Sequence, residues 1–330
     1  MKNVFVLGGS GFVGAHVCEK LVREGWHVTV PTRRRNSARN VMHLPGLTIL
    51  EVNVHDEAAL TAAVAGHDAV VNLVAILHGS PAAFDKVHVV LPQKLARACR
   101  ASAVKQLVHV SALGADDNRP GIAPSEYLRS KGRGEAVLMH PAEVPNSFAV
   151  TVLRPSVIFG AGDKFLNLFA KLQRIFPVMP LAGAGARFQP VWVEDVAGAL
   201  VSSLKADVPP TVPPQIFELC GPKVYTLKEL VQLAARLSGI NDGLGRPVLG
   251  LPHWMAYMQA LAMEWAPGPT LISRDNLASM QTANVATPGM PGLDELGIAP
   301  AALEPVARQY LSDGAATHGL LGIRKQVRTD

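Results

Sequence analysis

Cysteine is scarce: three in 330 residues, at Cys18, Cys99 and Cys220. An odd number without a C-x-x-C spacing excludes a disulfide framework and a zinc ribbon, so a reducing compartment is expected. Charge is thin as well, at 17% of residues, and aromatics make up 5%. The 31 Lys and Arg against 26 Asp and Glu leave a net +5, without a long basic run interleaved with aromatics, so nucleic acid is not the expected partner. No stretch reaches the roughly 18 uninterrupted apolar residues of a membrane-spanning helix. The 11 histidines never fall into H-x-x-x-H or H-E-x-x-H, which speaks against a metal site. The N-terminus lacks the charged region, apolar segment and cleavage site of a secretory leader, so a cytoplasmic chain is expected, with peripheral contact to the inner membrane left open.

What the chain has is 48% hydrophobic residues in an ordered alternation. Asn3–Leu7, His27–Val30, Thr48–Val52, Ala69–Val74 and Gln106–Val110 read as strands, with helical patterns such as His16–Glu24, Glu57–Val64 and Val90–Ala101 between them. Val-rich strands alternating with helices imply a parallel sheet covered on both faces. The expected fold class is α/β, a Rossmann-type doubly wound parallel sheet with a smaller C-terminal lobe. After Phe148–Leu153 prolines at 177, 180, 190, 209, 210, 213 and 214 break the chain into shorter pieces, placing a nucleotide-binding core at 1–160 and a mixed lobe at 161–330, with some segments returning to the core. Thr226–Glu229 is a capping-box pattern opening a helix over Leu227–Ser238. Asp195 reads as a helix cap.

Gly8, Gly11 and Gly14 form G-x-x-G-x-x-G between a strand and a helix. Glycines there allow a tight turn, let backbone approach a pyrophosphate and let helix pack on strand, while the helix N-terminus supplies amide donors. Gly8, Ser10, Gly11, Phe12, Val13 and Gly14 are the candidate cradle. At the end of the second strand, Val30-Pro-Thr-Arg-Arg-Arg35 has no carboxylate to bind a ribose 2′-hydroxyl. Arg33 and Arg34 could instead grip a 2′-phosphate, which points to NADP(H) over NAD(H), a solvated basic loop being the bland alternative. Tyr127 and Lys131, four residues apart, share one helix face. A lysine ammonium beside a phenol lowers its pKa and lets it shuttle a proton during hydride transfer.

With these motifs the sequence resembles the short-chain dehydrogenase/reductases, in their extended, epimerase/dehydratase-like branch. Gly8–Gly14 matches the family's cofactor loop, Asn53 and Val54 its adenine contact, Leu73, Val74 and Ala75 the segment lining the cofactor, and Leu153–Gly160 the nicotinamide-side strand and loop, including Pro155 and Val157. Gln189–Val196 resembles another recurring element. Asn72-Leu-Val, His109–Leu113, Tyr127–Lys131 and Phe159–Asn167 are most similar to the atypical group containing the nucleotide-binding accessory subunit of mitochondrial complex I. The resemblance implies Ser111, Tyr127 and Lys131 as catalytic candidates, with Lys131 also holding the nicotinamide ribose. It implies a role in respiratory-chain or quinone metabolism. Either hydride passes to a carbonyl or quinone-like substrate, or the chain is a non-catalytic module of a membrane complex. Two positions depart from the pattern: Leu113 stands where active epimerases carry a second hydroxyl residue, and His88 where many extended members have asparagine. Leu113 weighs against the further alternative, a sugar epimerase or dehydratase, and His88 against carrying over the full catalytic set.

Trp254, Met258, Leu261 and Trp265 recur at i, i+4, i+7 and i+11 within Pro252–Trp265. Such an apolar stripe is read as core-facing, a partner surface or shallow membrane contact aided by the basic residues Arg324, Lys325 and Arg328 being the alternative.

Overall fold

The computed structural model describes residues 2–141, 147–206, 208–209, 211–265 and 272–312. The chain separates into two compact units, one formed by Met1–Ser156, Val193–Cys220 and Ala286–Ala299, the other by Val157–Trp192, Gly221–Val285 and Pro300–Asp330.

The first unit follows the alternation in the sequence. Its elements are β1 (Asn3–Leu7), α1 (Phe12–Arg23), β2 (His27–Thr32), β3 (Leu47–Glu51), α2 (Glu57–Val64), β4 (Ala69–Asn72), α3 (Pro81–Asp85), α4 (Leu91–Ala101), β5 (Gln106–Val110), α5 (Glu126–Met139), β6 (Ala149–Pro155), α7 (Val193–Lys205) and β11 (Gln215–Leu219). The strands form one seven-stranded sheet in the order β3-β2-β1-β4-β5-β6-β11. Every pairing is parallel. β4 and all seven residues of β6 are buried, as strands covered on both faces must be. Phe5, Leu60, Leu91, Leu95, Leu107 and Val152 meet in the core beneath the helices. The strand order reverses between β1 and β4, and the Leu73 N–H continues the pairing to the Leu7 carbonyl (2.9 Å). The turns that leave these two strands therefore emerge side by side, at the switch point where such sheets open a crevice.

Three helix readings differ from the sequence: α1, expected over His16–Glu24, already starts at Phe12, directly after the glycine turn. The segment expected to start at Val90 begins at Pro81, where the Ser80 hydroxyl caps the Ala83 N–H (3.3 Å), and reaches α4 through a π-helical turn over Lys86–Val90. Asp195 does not cap a helix: α7 starts at Val193, so Asp195 lies buried in its first turn. Its neighbour Glu194 bonds instead to α1, through His16 Nδ1 (2.5 Å) and Lys20 Nζ (2.8 Å).

The second unit uses short strand pairs. β7 (Ile158–Phe159) pairs with β10 (Val191–Trp192), β8 (Met179–Leu181) with β13 (Val248–Gly250), and β9 (Arg187–Phe188) with β12 (Tyr225–Thr226), the last antiparallel. Around them lie α6 (Leu166–Ile175), α8 (Leu227–Leu237), α9 (His253–Trp265) and α10 (Arg274–Ser279). Leu166, Leu230, Leu237, Leu303 and Leu311 form the main core. The capping box of α8 is present, Thr226 and Glu229 each binding the other's backbone.

The stripe on α9 corrects its core-facing reading. Trp254, Met258 and Trp265 are 68%, 56% and 84% exposed, while the buried residues are Ala256 and Ala260. The helix packs through its smallest side chains and leaves its largest in solvent. Arg324, Lys325 and Arg328 lie outside the described residues. Among the described residues no helix is long and apolar enough to cross a membrane.

Candidate nucleotide-binding site

The turn after β1 is shaped chiefly by backbone, with the Cys18 thiol donating to the Gly9 carbonyl (3.7 Å). Gly8, at φ +81°, accepts a hydrogen bond from the Gly11 N–H (2.9 Å), and Gly11 in turn accepts from Ala15 (2.9 Å). A Cβ on Gly14 would overlap the Gly8 carbonyl oxygen, and one on Gly8 would lie 3.1 Å from the Leu73 backbone. These close approaches demand glycine at both positions. α1 opens at Gly11 with no side-chain cap and no acidic residue in its first turn, leaving amide donors and the positive end of the helix dipole for an anion. That donor set fits a pyrophosphate. Ser10, Phe12 and Val13 are partly exposed around it.

The basic loop after β2 is tied to this turn. Asn40, which sequence reasoning missed, donates its side-chain amide to the Ser10 carbonyl (3.1 Å). The Thr32 hydroxyl bridges the Arg34 N–H and carbonyl. Arg33 and Arg34 are exposed. The cations around this edge register on His55, whose pKa is lowered by burial and by Lys86, Lys94 and Arg33. Asn53 caps the short turn leading to α2, its side chain accepting from the His55 N–H (3.1 Å), and Val54 packs on the core. Leu73 borders the glycine turn, and the Val74 N–H is bound by the Asn72 side chain (3.2 Å). Ala75 is exposed beyond them. Pro155 ends β6, its carbonyl accepting from the Leu113 N–H (3.0 Å). Val157 belongs to the second unit, where Asn284 binds its N–H (3.2 Å).

Tyr127, Lys131 and Glu135 repeat every four residues on one face of α5. Gly132 and Gly134 let that helix come close: a Cβ on Gly134 would overlap the His88 carbonyl, and one on Gly132 would sit 2.5 Å from that of Asp116. Lys131 is 1% exposed and donates to the Val110 carbonyl at the end of β5 (2.8 Å). Burial lowers its pKa to about 8, against the opposing pull of Glu135. Tyr127 is half-buried against Phe84 and His88, and burial pushes its phenol up to about 12. The lowering of the phenol expected from a neighbouring ammonium is replaced here by the opposite shift. His88 accepts the Ile76 N–H at Nε2 (3.1 Å), so its ring proton belongs on Nδ1, facing Ser130 Oγ (2.8 Å), which donates to the Tyr127 carbonyl (2.7 Å). Burial, then Lys131, holds His88 neutral with its pKa near 3.

Beneath Lys131 lies an ion network that no motif announced. Arg154 on β6 bonds Glu135 (2.5 Å) and Asp117 (2.7 Å), and Asp117 also meets His140 Nε2 (3.0 Å). It fixes α5 to the sheet and to the loop after β5. Leu113 on that loop is buried, and its side chain offers no hydrogen bond. His109 Nε2 is buried with no hydrogen-bond partner among the described residues, a polar atom on β5 of the kind that a ligand can satisfy, and the Ser111 hydroxyl lies beside the Glu135 carboxylate, whose charged form it favours.

A parallel sheet with its glycine turn at the switch point defines a Rossmann-type NAD(P)H-binding protein, and the family described as NAD(P)H-binding matches residues 8–163. The mouse (Mus musculus) NADH dehydrogenase (ubiquinone) 1 alpha subcomplex subunit 9, mitochondrial, is 31% identical over 312 residues, 91% of this chain and 77% of the relative. The Neurospora crassa NADH-ubiquinone oxidoreductase 40 kDa subunit is 26% identical over 317 residues, 93% and 78% of the two chains. A crystal structure of UDP-galactose 4-epimerase shares the fold with a TM-score of 0.69 at 18% identity, covering 96% of this chain and 99% of that one. The chain belongs to the family of the alpha subcomplex subunit 9 proteins, with the fold of the extended short-chain dehydrogenase/reductases.

Proposed function

We propose that this chain binds NADP(H) in preference to NAD(H) and serves as a nucleotide-stabilised accessory module of a membrane-bound respiratory complex, or of a quinone-linked pathway beside it. The observation that carries this reading is the contrast within the first unit. The glycine turn and uncapped α1 are complete for a pyrophosphate, whereas the phenol of Tyr127 is pushed up to about 12 and Leu113 offers no second hydroxyl. In this reading the amides of Phe12, Val13 and Gly14, in the first turn of α1, hold the pyrophosphate, and Arg33 and Arg34 hold the 2′-phosphate. Asn53 and Val54 flank adenine, Leu73, Val74 and Ala75 line the cofactor, and Lys131 binds the nicotinamide ribose, with Pro155 and Val157 on the nicotinamide side. The resemblance to complex I subunits supports the membrane-complex partner and a position peripheral to a membrane.

A second reading, an NADP(H)-dependent oxidoreductase, is favoured by the placement of Tyr127 and Lys131 on one face of α5 above the His88–Ser130 chain. Bound nicotinamide supplies a hydride donor or acceptor; Tyr127 would give the proton to a carbonyl or quinone-like oxygen, Lys131 holding the ribose beside it and Ser111 adding a hydrogen bond. The two readings separate on purified protein. The accessory role predicts NADPH binding without oxidation by a short-chain quinone, together with co-purification with a membrane complex. Quinone-dependent NADPH oxidation lost in Tyr127→Phe, with cofactor affinity retained, establishes the enzyme.

A further inference from the structure

The second unit contains a cleft of about 590 Å³, within the range of small-molecule sites, and none of its lining residues belongs to the nucleotide site. Its base is the turn Gly183–Ala186, and its walls come from Gly250–His253 at the end of β13, Ala256 on α9, and α10 with the residues after it. The space is kept by small residues. Gly183 has φ +67°, and a Cβ there would lie 2.6 Å from Met280 Sδ; a Cβ on Gly250 would lie 3.1 Å from that of Ala184. The larger side chains that reach it are mostly aliphatic or thioether, Leu251, Leu277 and Met280, and among the described residues the lining has no Phe, Tyr or Trp and no Lys, Arg, Asp or Glu to meet a phosphate or ammonium. His253 and Gln281 are its hydrogen-bonding side chains. The helix that closes one wall through Ala256 presents Trp254, Met255, Tyr257 and Met258 to solvent, so an apolar molecule approaching the cleft meets apolar surface first.

We propose that this cleft binds a single aliphatic chain, with His253 and Gln281 meeting a polar head group at its end. A phosphate or ammonium finds no Lys, Arg, Asp or Glu among the described lining residues, whereas a flexible methylene chain lies against glycine backbone and adapts to the thioether of Met280. The chain could come from a fatty acyl group or from an isoprenoid tail, which share this chemistry. The proposal is independent of the nucleotide reading.

The test is displacement of dansylaminoundecanoic acid from the purified full chain. Unlabelled saturated fatty acids from octanoate to palmitate form one arm, and geranylgeraniol the other. Saturable binding of one probe per chain is expected, with displacement tightening roughly four-fold for each added methylene until the cleft is full. Preferential displacement by the fatty acids identifies an acyl source and by geranylgeraniol an isoprenoid one. Gly185 lines the cleft, has no positive φ and has nothing within 4 Å of a Cβ, so Gly185→Phe should fill the space, weaken probe binding more than ten-fold and leave NADPH affinity unchanged; Gly185→Leu, with the same expectation, stands in if the larger ring lowers the melting temperature. Absence of saturable binding overturns the proposal. So does a folded plug variant that binds as the wild type does, which would place the probe on the exposed face of α9. Calorimetry with NADPH on the same samples keeps this failure distinct from failure of the nucleotide site.

Discussion

The glycine turn after β1 and the Tyr127 face of α5 serve the same unit but are built from opposite materials. The turn is mainly backbone: glycines forced by close approach, amides left uncapped, and two side-chain ties, from Asn40 to Ser10 and from Cys18 to Gly9. The α5 face is side chain, and its ionisable groups are held by burial and by each other, Lys131 on the Val110 carbonyl and Glu135 on Arg154. Backbone donors cannot be retuned by substitution nearby, so the capacity to bind a diphosphate persists wherever the turn folds. Side-chain chemistry is set by its surroundings, and here burial keeps the phenol protonated. In the accessory reading proposed above, the fold keeps cofactor binding while its proton-transfer end serves as structure.

The largest effect expected from the side-chain half is loss of its ion network. Arg154→Leu leaves Glu135 and Asp117 buried without their cation and should destabilise the chain by about 3–5 kcal/mol, measured by urea unfolding; a change within error would mean that the network does not fix α5. On the backbone half, Gly14→Ala forces a Cβ into the Gly8 carbonyl. A distortion costing about 1–3 kcal/mol should weaken NADPH by roughly 10- to 100-fold, read by calorimetry, with the rest of the sheet intact by circular dichroism.

Lys131 supplies a pH signature. Its pKa of about 8 lies below the ordinary 10.5, so between these values the unfolded chain binds a proton that the folded chain does not. Stability of the nucleotide-free protein should rise with pH across that window relative to Lys131→Met, by up to about 1.4 kcal/mol per pH unit. A difference that is flat from pH 8 to 10 contradicts a buried amine. Arg33→Ala with Arg34→Ala should narrow the preference for NADPH over NADH by about ten-fold, and an unchanged ratio removes the 2′-phosphate grip. The smallest effect is predicted for Tyr127→Phe, which in an accessory module should leave NADPH affinity within about two-fold.

Much of this was legible in the sequence where the signal is local. The cradle could be read because Gly8, Gly11 and Gly14 are adjacent to their own strand and helix, and Gln106–Val110 because valine-rich runs seldom do anything else between helices. The tie between Asn40 and Ser10 spans thirty positions and that between Arg154 and Asp117 thirty-seven, and no spacing rule links such residues. Gly132 and Gly134 stood in plain view, but their use depends on what α5 packs against. On α9 the periodicity was genuine and its direction was not recoverable: a helix may bury its large stripe or its alanines, and the neighbours chosen by the fold decide.

Titration calorimetry of the wild-type chain with NADPH and NADH at physiological salt tests the central claim most directly. One NADPH bound per chain, more tightly than NADH, is the predicted result. No heat from either nucleotide at millimolar concentration on folded protein would contradict the cradle, and tighter NADH would contradict the arginine grip.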